Sequence, residues 1–522
     1  MSVFAQSGQS VRATAISAVQ APAPVRRLSV DEAVKLALEQ NLGIQIERVN
    51  PRIQDLAVAQ TRALWVPTLT TDLNNTARDT AVTNAFAGGQ NEVTTSVFTS
   101  SFGVAQQLPT GANYSVAWDN QRLTSSNFFS TFDPQLESRL TLVATQPLLR
   151  NFKIDNVRQQ LQTNLKFREA SDLQLQSTIV ATMRNVKNAY WELAYQIASL
   201  NAAQQSLDLA KRVLGDNEKR VQIGTMAPID IVEAQSEVAR NEESVIVAEA
   251  LIERAEDNLR ALIFDPAAPD FWAVSIEPSD TAPFQAQAID AEAAVRRALA
   301  NRMDLKQAQN GLDRTDINIQ YLRNQVLPEV NANLTYGMTG VGGVRYAQDL
   351  SALTTGGIPT RTLLSSRGFG SVLGDVFGAT LPTWTVGVSI GYPIGTSASE
   401  ANLARARLEY SQGQTQMKNL EMQIATQVRD LARQVQTNQK RVDTTRVARE
   451  LAERRLEAAE KKFAAGIETS FFVFQAQRDL SQARTNEVRA ISDYNKSLVD
   501  FEAVQEAPLS GGGPVGGGAV VR

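Results

Sequence analysis

Residues 29–69 open with SVDEAVKLALEQ and close with ALWVPTL; residues 290–330 open with DAEAAVRRALAN and close with NQVLPEV. At a constant offset of 261, Ala33 falls on Ala294, Val34 on Val295, Ala37 on Ala298, Leu38 on Leu299 and Pro67 on Pro328, with no gap. A second match lies at an offset of 242. There Gly224 in VQIGTMAPIDIVEAQ meets Gly466 in FAAGIETSFFVFQAQ, and Ala234-Gln235 meets Ala476-Gln477. Self-similarity at a fixed spacing marks a duplicated structural unit. The chain reads as one design written twice, a first repeat over 28–263 and a second over 289–504, joined by a linker at 264–288. Flexible segments are expected at 1–27 and, Gly-rich, at 505–522.

Each repeat has the same parts in the same order. Ser29 with Glu32 is a capping-box pattern, and Asp290 stands at the equivalent N-cap. Helical spacing continues to Pro67 or Pro328, with a break or kink expected at Pro51 in the first copy. Strand-like segments follow, over 68–146 and 329–392. Pro147 or Pro393 then returns the chain to helix, at 151–223 and 228–263 in one copy and 399–465 and 469–504 in the other. Between Asn151 and Ile223 there is no Pro and a single Gly, Gly215. At 1.5 Å per residue such a helix is roughly 100 Å long. Ile179, Met183, Val186, Tyr190, Leu193, Ile197 and Leu200 alternate spacings of four and three, a heptad seam for lengthwise helix packing.

The Thr/Asn-rich segments read as strands of a membrane barrel, which need about ten residues alternating in polarity. Candidates are Thr68–Arg78, Thr95–Gln107, Ala112–Gln121 and Ser138–Gln146 in the first copy, and Glu329–Met338 and Trp384–Tyr392 in the second. Pro109-Thr110-Gly111 supplies a tight turn. Gly340 to about Ala379 is expected to be a long loop, its GFGSVLG run at 368–374 a flexible surface stretch rather than a nucleotide-binding loop. Trp65, Tyr114, Trp118, Tyr336, Trp384 and Tyr392 are candidates for aromatic girdles, or for packing between strands.

Composition narrows the function. The 522 residues include no Cys and no His, which excludes disulfides, thiolate chemistry, imidazole-based triads and zinc sites of the usual nitrogen and sulfur ligands. A net charge of −4 gives no electrostatic case for nucleic-acid binding. No apolar run reaches the eighteen or so residues of a membrane helix, and the first 27 residues lack the apolar core of a secretory signal. No carboxylate pair asks for acid–base catalysis, so neither enzyme activity nor a cofactor is expected.

The duplicated order of parts resembles the TolC-like outer-membrane efflux protein family. So do the motifs Gln146-Pro147-Leu148-Leu149-Arg150, Gly224…Asp230 with Glu233-Ala234, and Leu327-Pro328-Glu329, the likeness running from about Leu28 to Val504. The resemblance implies a mainly α chain with a β-barrel membrane part. It implies a homotrimer whose barrel sits in outer-membrane lipid and is continued by a long periplasmic α-helical barrel. Its partners are then a periplasmic adaptor and an inner-membrane pump. The function implied is the outer-membrane channel of a tripartite efflux or secretion system, with small-molecule efflux favoured. A type I protein-secretion conduit, or a soluble coiled-coil scaffold, are the alternatives.

Carried over residue by residue, the adaptor-binding tips are Ile223, Gly224 and Thr225 in one copy and Gly466, Ile467, Glu468 and Thr469 in the other. Asp230 and Glu233 stand where the family carries an acidic constriction; acidic residues in a first helical turn also answer the helix dipole. The second copy has Phe472 and Gln475 at the matching positions, so Phe472, with Phe471 and Phe474 beside it, offers an apolar constriction or packs against neighbouring helices. The family's two strands per copy imply twelve in a trimer. The hairpin around Pro109–Gly111 adds two per chain, for eighteen, or lies outside the membrane.

Overall fold

A computed structural model describes residues 25–82, 91–269, 271–280, 284–349, 360–395 and 397–509. Of the two expected flexible ends, 1–24 and 510–522 lie outside these residues, as do 350–359 of the expected long loop. The first copy runs β1 (Val25–Leu28), α1 (Val30–Gln40), α2 (Leu42–Ala63), β2 (Thr68–Ala81), β3 (Glu92–Gln107), β4 (Asn113–Ser125), β5 (Phe132–Pro147), α3 (Asn156–Gln222) and α4 (Ile229–Ile263). The chain continues through β6 (Ser275–Pro278), α5 (Ala291–Asn301), α6 (Met303–Gln325), β7 (Glu329–Asp349), β8 (Thr360–Arg367), α7 (Phe369–Phe377), β9 (Pro382–Gly391), α8 (Ala398–Ala464) and α9 (Ser470–Ala503). Helices α3 and α8 are each 67 residues long and begin 242 positions apart.

Local signals explain the helix starts. Ser29 Oγ accepts from the Glu32 amide while Glu32 Oε2 accepts from the Ser29 amide, a reciprocal capping box. The Ser29 amide and hydroxyl, both donating to Glu32 Oε2, favour the ionised carboxylate and hold the Glu32 pKa below its ordinary value. Asp290 Oδ1 accepts from the amides of Glu292 and Ala293, both at 3.0 Å. Of the break or kink expected at Pro51, the break is absent, because α2 carries Pro51 in its interior. The interruption falls instead at Asn41, whose extended backbone ends α1 and whose Oδ1 accepts from the Ile44 amide at 3.2 Å. Arg302, 261 residues on, interrupts α5 and α6 with the same backbone geometry.

Contacts divide the chain into two units, each drawing on both copies. One comprises residues 1–49, 173–306 and 420–522. Its core joins Ala33, Val34 and Ala37 of α1 to Val186, Tyr190 and Leu193 of α3 and Leu259 and Ile263 of α4. Three seam positions of α3 are therefore fully buried. The Tyr190 hydroxyl donates toward the Leu28 carbonyl (3.0 Å) and the Asp280 carboxylate (3.1 Å) and accepts from the Asp280 amide. Burial pushes its pKa up to about 12. The short parallel pair β1 and β6 lies beside this core.

The other unit comprises residues 50–172 and 307–419 and contains one antiparallel sheet. Its order is β2-β3-β4-β5-β7, with β8 and β9 both pairing the far side of β7. They lie end to end: β9 pairs Glu329–Met338 and β8 pairs Gly343–Asp349. The expected long loop is thus largely structured. β7 continues to Asp349, β8 returns, and the supposed flexible GFGSVLG run forms α7. Alternation misses α7 because its apolar residues, Val372 and Val376, follow helical spacing and are buried by a sheet that sequence periodicity does not reveal.

The two sheet faces differ in chemistry. One row crosses the sheet as Leu69–Val104–Val116–Leu142–Tyr336–Trp384, apolar throughout. A row on the opposite face reads Asp72–Ser101–Asp119–Arg139–Thr339. Leu69, Leu73, Trp384, Val386, Val388 and Ile390 on the apolar face are all more than 60% exposed in the single chain. Of the expected girdle aromatics, Trp384 and Tyr392 are exposed. Trp118 is instead held in place, its Nε1–H donating to Ser138 Oγ at 2.9 Å.

Candidate functional site: the helix tips

Both long-helix pairs turn through one motif. After α3, the Gly224 amide donates to the Val221 carbonyl and the Thr225 amide to the Arg220 carbonyl, each at 2.9 Å, with Gly224 at φ +77°. After α8, the Gly466 amide donates to Phe463 (3.1 Å) and the Ile467 amide to Lys462 (2.9 Å), with Gly466 at φ +74°. These are Schellman closures, which satisfy the last helical carbonyls and require a residue at ease in the left-handed region. Nothing lies within 4 Å of where a Cβ would sit on either glycine, so backbone conformation, not space, demands them.

The turns present apolar side chains to solvent. Ile223 and Ile467 are 73% and 74% exposed, and Ile229 and Val232 of the first turn of α4 are exposed as well. Thr225 is exposed, its Oγ1 donating to the Arg220 carbonyl, and Thr469 begins α9 without a side-chain cap. Glu468 is half-buried and takes the Lys462 ammonium at 2.7 Å. The Arg220 guanidinium lies 4.2 Å over the Phe463 ring and donates to the Phe463 carbonyl, which ties the end of α3 to the end of α8.

Asp230 and Glu233 lie in the first turns of α4, half-buried and exposed respectively. Among the described residues neither has a basic partner within salt-bridge distance, so two uncompensated carboxylates share one helix face. Glu237 continues the stripe one turn further and was missed in the sequence reading; the spacing Asp230, Glu233, Glu237 was its available signal. Glu237 is buried and neutralised, receiving Arg240 Nη1 at 3.0 Å and, from α9, Arg478 Nη1 at 3.3 Å. It lines a groove with Ser206, Gln477 and Arg484, among α3, α4 and α9.

The aromatic run of the second tip separates. Phe474 is buried, whereas Phe471 and Phe472 are each 48% exposed and meet edge to face at 5.7 Å between centroids. Phe472 is therefore not used up in packing within the chain. No group of His, Cys, Asp or Glu arranged to hold a metal occurs among the described residues, and no helix there is long and apolar enough to cross a membrane.

The sequence profile described as Outer membrane efflux protein matches residues 33–263 and again 294–504. No curated protein matches the chain. Among solved structures, the Campylobacter jejuni CmeC outer membrane channel is similar at TM-score 0.63 and 14% identity, over 91% of this chain and 85% of that one. The Neisseria gonorrhoeae MtrE outer membrane channel, in a structure described as its open state, gives 0.61 and 17% over 92% and 89%. The Vibrio cholerae outer membrane protein VceC gives 0.60 and 16% over 92% and 97%.

Proposed function

The chain belongs to the outer membrane efflux protein family, and from that premise we propose how its residues build the conduit. It is a non-enzymatic outer-membrane channel of a tripartite efflux or secretion system, reaching into the periplasm. In our reading three copies join through their sheets. The apolar face meets outer-membrane lipid and the Thr/Asn/Asp face lines water. The observation that carries this is that, among the described residues, the sheet has open edges at β2 and at β8 and β9, and two faces that differ sharply in polarity. An open sheet cannot stand in lipid, where each unpaired backbone group costs several kcal/mol, so its edges must be closed by other copies.

The helices α3, α4, α8 and α9 of three chains then form the periplasmic tube. Ile223, Gly224 and Thr225, with Gly466, Ile467, Glu468 and Thr469, meet a periplasmic adaptor, which couples the tube to an inner-membrane pump. The exposed apolar tips support this, since solvent-facing isoleucines at a turn cost free energy unless a partner covers them. Rings of three Asp230 and three Glu233 narrow the tube and favour cations, with Phe472 as an apolar counterpart from the other copy. Small molecules are the favoured cargo.

Purified protein in planar bilayers under a KCl gradient tests the reading. The parent is expected to conduct with cation preference, and Asp230→Asn with Glu233→Gln to bring the permeability ratio toward one. Absence of conductance steps would refute the channel assembly; an unchanged ratio in the double variant would refute the acidic gate alone.

A further inference from the structure

Resting on that trimeric reading, we infer that the β3–β4 hairpin is part of the membrane wall, so that the assembled barrel has eighteen strands rather than twelve. The sheet is six ranks wide, because β8 and β9 share the last rank along β7. Every neighbouring pair is antiparallel. With an even number of ranks the first and last strands run in opposite directions. The β9 of one copy therefore meets the β2 of the next in the same antiparallel sense as every other pair, and three copies close without a mismatch.

Removing the hairpin from the wall is costly. A four-rank sheet requires β2 to pair β5 directly. It would surrender the pairing of β2 with β3 from Thr68 to Ala81 and of β4 with β5 from Asn113 to Leu123. The hairpin also carries the two-faced alternation of the other strands. Phe102, Val104, Val116 and Trp118 continue the apolar face, while Ser101, Ala105, Ser115 and Asp119 continue the polar one. A hairpin in water above the membrane has no reason to carry the apolar row from Leu69 of β2 through Val104 and Val116 to Leu142 of β5 unbroken. Its turn fits the helix side, where Gly111 (φ +86°) lies against Asn151, Asp155 and Arg158 at the start of α3.

A second observation points the same way. The apolar face of β4 and β5 contains a polar trio, in which Ser138 Oγ donates to Asn120 Oδ1 at 2.6 Å and accepts from Trp118 Nε1. Helix α7 lies over β5 and β7 beside it, with Val372 and Val376 fully buried and Phe377 against the Trp118 ring at 6.3 Å. Ser138 is 0% and Asn120 9% exposed. Self-satisfied, sealed polar groups are what a lipid-facing surface requires, whereas water would satisfy them unaided.

With strands about 4.8 Å apart and tilted ~40°, eighteen give a backbone diameter of ~36 Å and twelve give ~24 Å. The exit is then 1.5-fold wider than a twelve-stranded wall, and size selection falls to the helix tips rather than to the barrel.

The absence of cysteine leaves a silent background for thiol labelling. Single variants Val104→Cys and Val116→Cys (apolar face), Ala105→Cys and Ser115→Cys (polar face), and the β7 controls Leu334→Cys and Asn333→Cys are treated with a membrane-impermeant maleimide in outer membranes. The polar-face sites of the hairpin are expected to react at least tenfold faster than the apolar ones, as in β7. Equal rates in the hairpin with contrast retained in β7 would overturn the eighteen-stranded wall. Loss of contrast in β7 itself would instead overturn the channel reading beneath it. A strand count of the unmodified trimer by electron microscopy decides the same question without a substitution: eighteen supports the wall and twelve refutes it.

Discussion

Replacing Gly340 by Ala tests how α7 is seated. A Cβ at Gly340 falls 2.2 Å from the Val372 carbonyl oxygen and 3.2 Å from Asp375 Cβ, so the helix and strand must part by about 1 Å. That gap opens beneath Val372 and Val376, both fully buried, whose burial stabilises by roughly 1.5–3 kcal/mol each. Partial loss of both, about 3 kcal/mol, corresponds to a population shift of ~150-fold by the 1.36 kcal/mol per decade relation. Hydrogen exchange of the α7 amides in the detergent-solubilised trimer reads that shift directly. Protection is expected to fall ~100-fold in Gly340→Ala while β7–β9 amides stay protected. Gly374→Ala is the control: nothing lies within 4 Å of its Cβ, and mid-helix Ala is favoured over Gly by about 1 kcal/mol, so protection should hold or rise. Unchanged protection in Gly340→Ala would refute the close seating of α7 on the sheet.

Three further outcomes follow from the helical unit. Burial raises the Tyr190 pKa from 10 to about 12, so its contribution is complete below pH 10 and lost as pH rises toward 12, up to about 3 kcal/mol; Tyr190→Phe should flatten the alkaline loss in urea midpoints between pH 9 and 11.5, and equal slopes would contradict this. Burial alone would raise the Glu192 carboxyl, but the Lys496 ammonium and the Gln196 amide outweigh it and hold the pKa below its ordinary 4.5. That stability is present above pH 4.5 and lost as pH falls further, so Lys496→Met should reduce the acid dependence of unfolding, and an unaltered acid limb would sink the assignment. Gly224→Ala and Gly466→Ala place a Cβ in open space at positive φ, so each should destabilise its turn by ~1–2 kcal/mol through backbone strain alone, with Asn tolerated better. Tip exchange rates that do not separate Gly, Asn and Ala would remove the argument.

Much of the architecture was legible because duplication makes each half a control for the other. The capping box, the returning prolines, the glycine turns and the 67-residue helices are all local signals, and local signals survive in sequence. What stayed illegible depends on long-range contacts. Asn41 interrupts the first helix because its amide also donates to the Leu262 carbonyl, 221 residues away, while the conspicuous Pro51 is accommodated. The α7 helix is nine residues whose only reason to fold is the sheet beneath them. At the tips the glycine turns could be foreseen from Gly224 and Gly466. The neutralisation of Glu237 could not, because its partner Arg478 comes from the other copy.

The shift of offset from 261 to 242 locates where the copies diverged: the first carries 15 more residues between the prolines that bracket its strands and four more between the second proline and its long helix. That surplus accompanies a full hairpin in the first copy, where the second has only α7 and the short β8. The long helices α3 and α8 kept their length to the residue, so the insertion fell before them, mostly on the sheet. At the tips divergence took a different form. Glu237 and Asp479, 242 apart, keep a carboxylate in both copies, but Glu237 is paired by Arg478 of α9 and Asp479 by Arg455 of α8 at 2.6 Å. Asp230 and Glu233, by contrast, correspond at the 242 offset to Phe472 and Gln475 and have no basic partner among the described residues. A carboxylate kept in both copies and neutralised in both is explained by helix cohesion. A carboxylate pair present in one copy and left unpaired costs stability through self-repulsion, and helix-dipole stabilisation of about 0.3–1 kcal/mol reaches mainly Asp230 in the first turn. Cohesion therefore accounts for Glu237 and leaves Glu233 without a structural reason, which is why the proposed charge-selective constriction rests on Glu233 more than on Asp230.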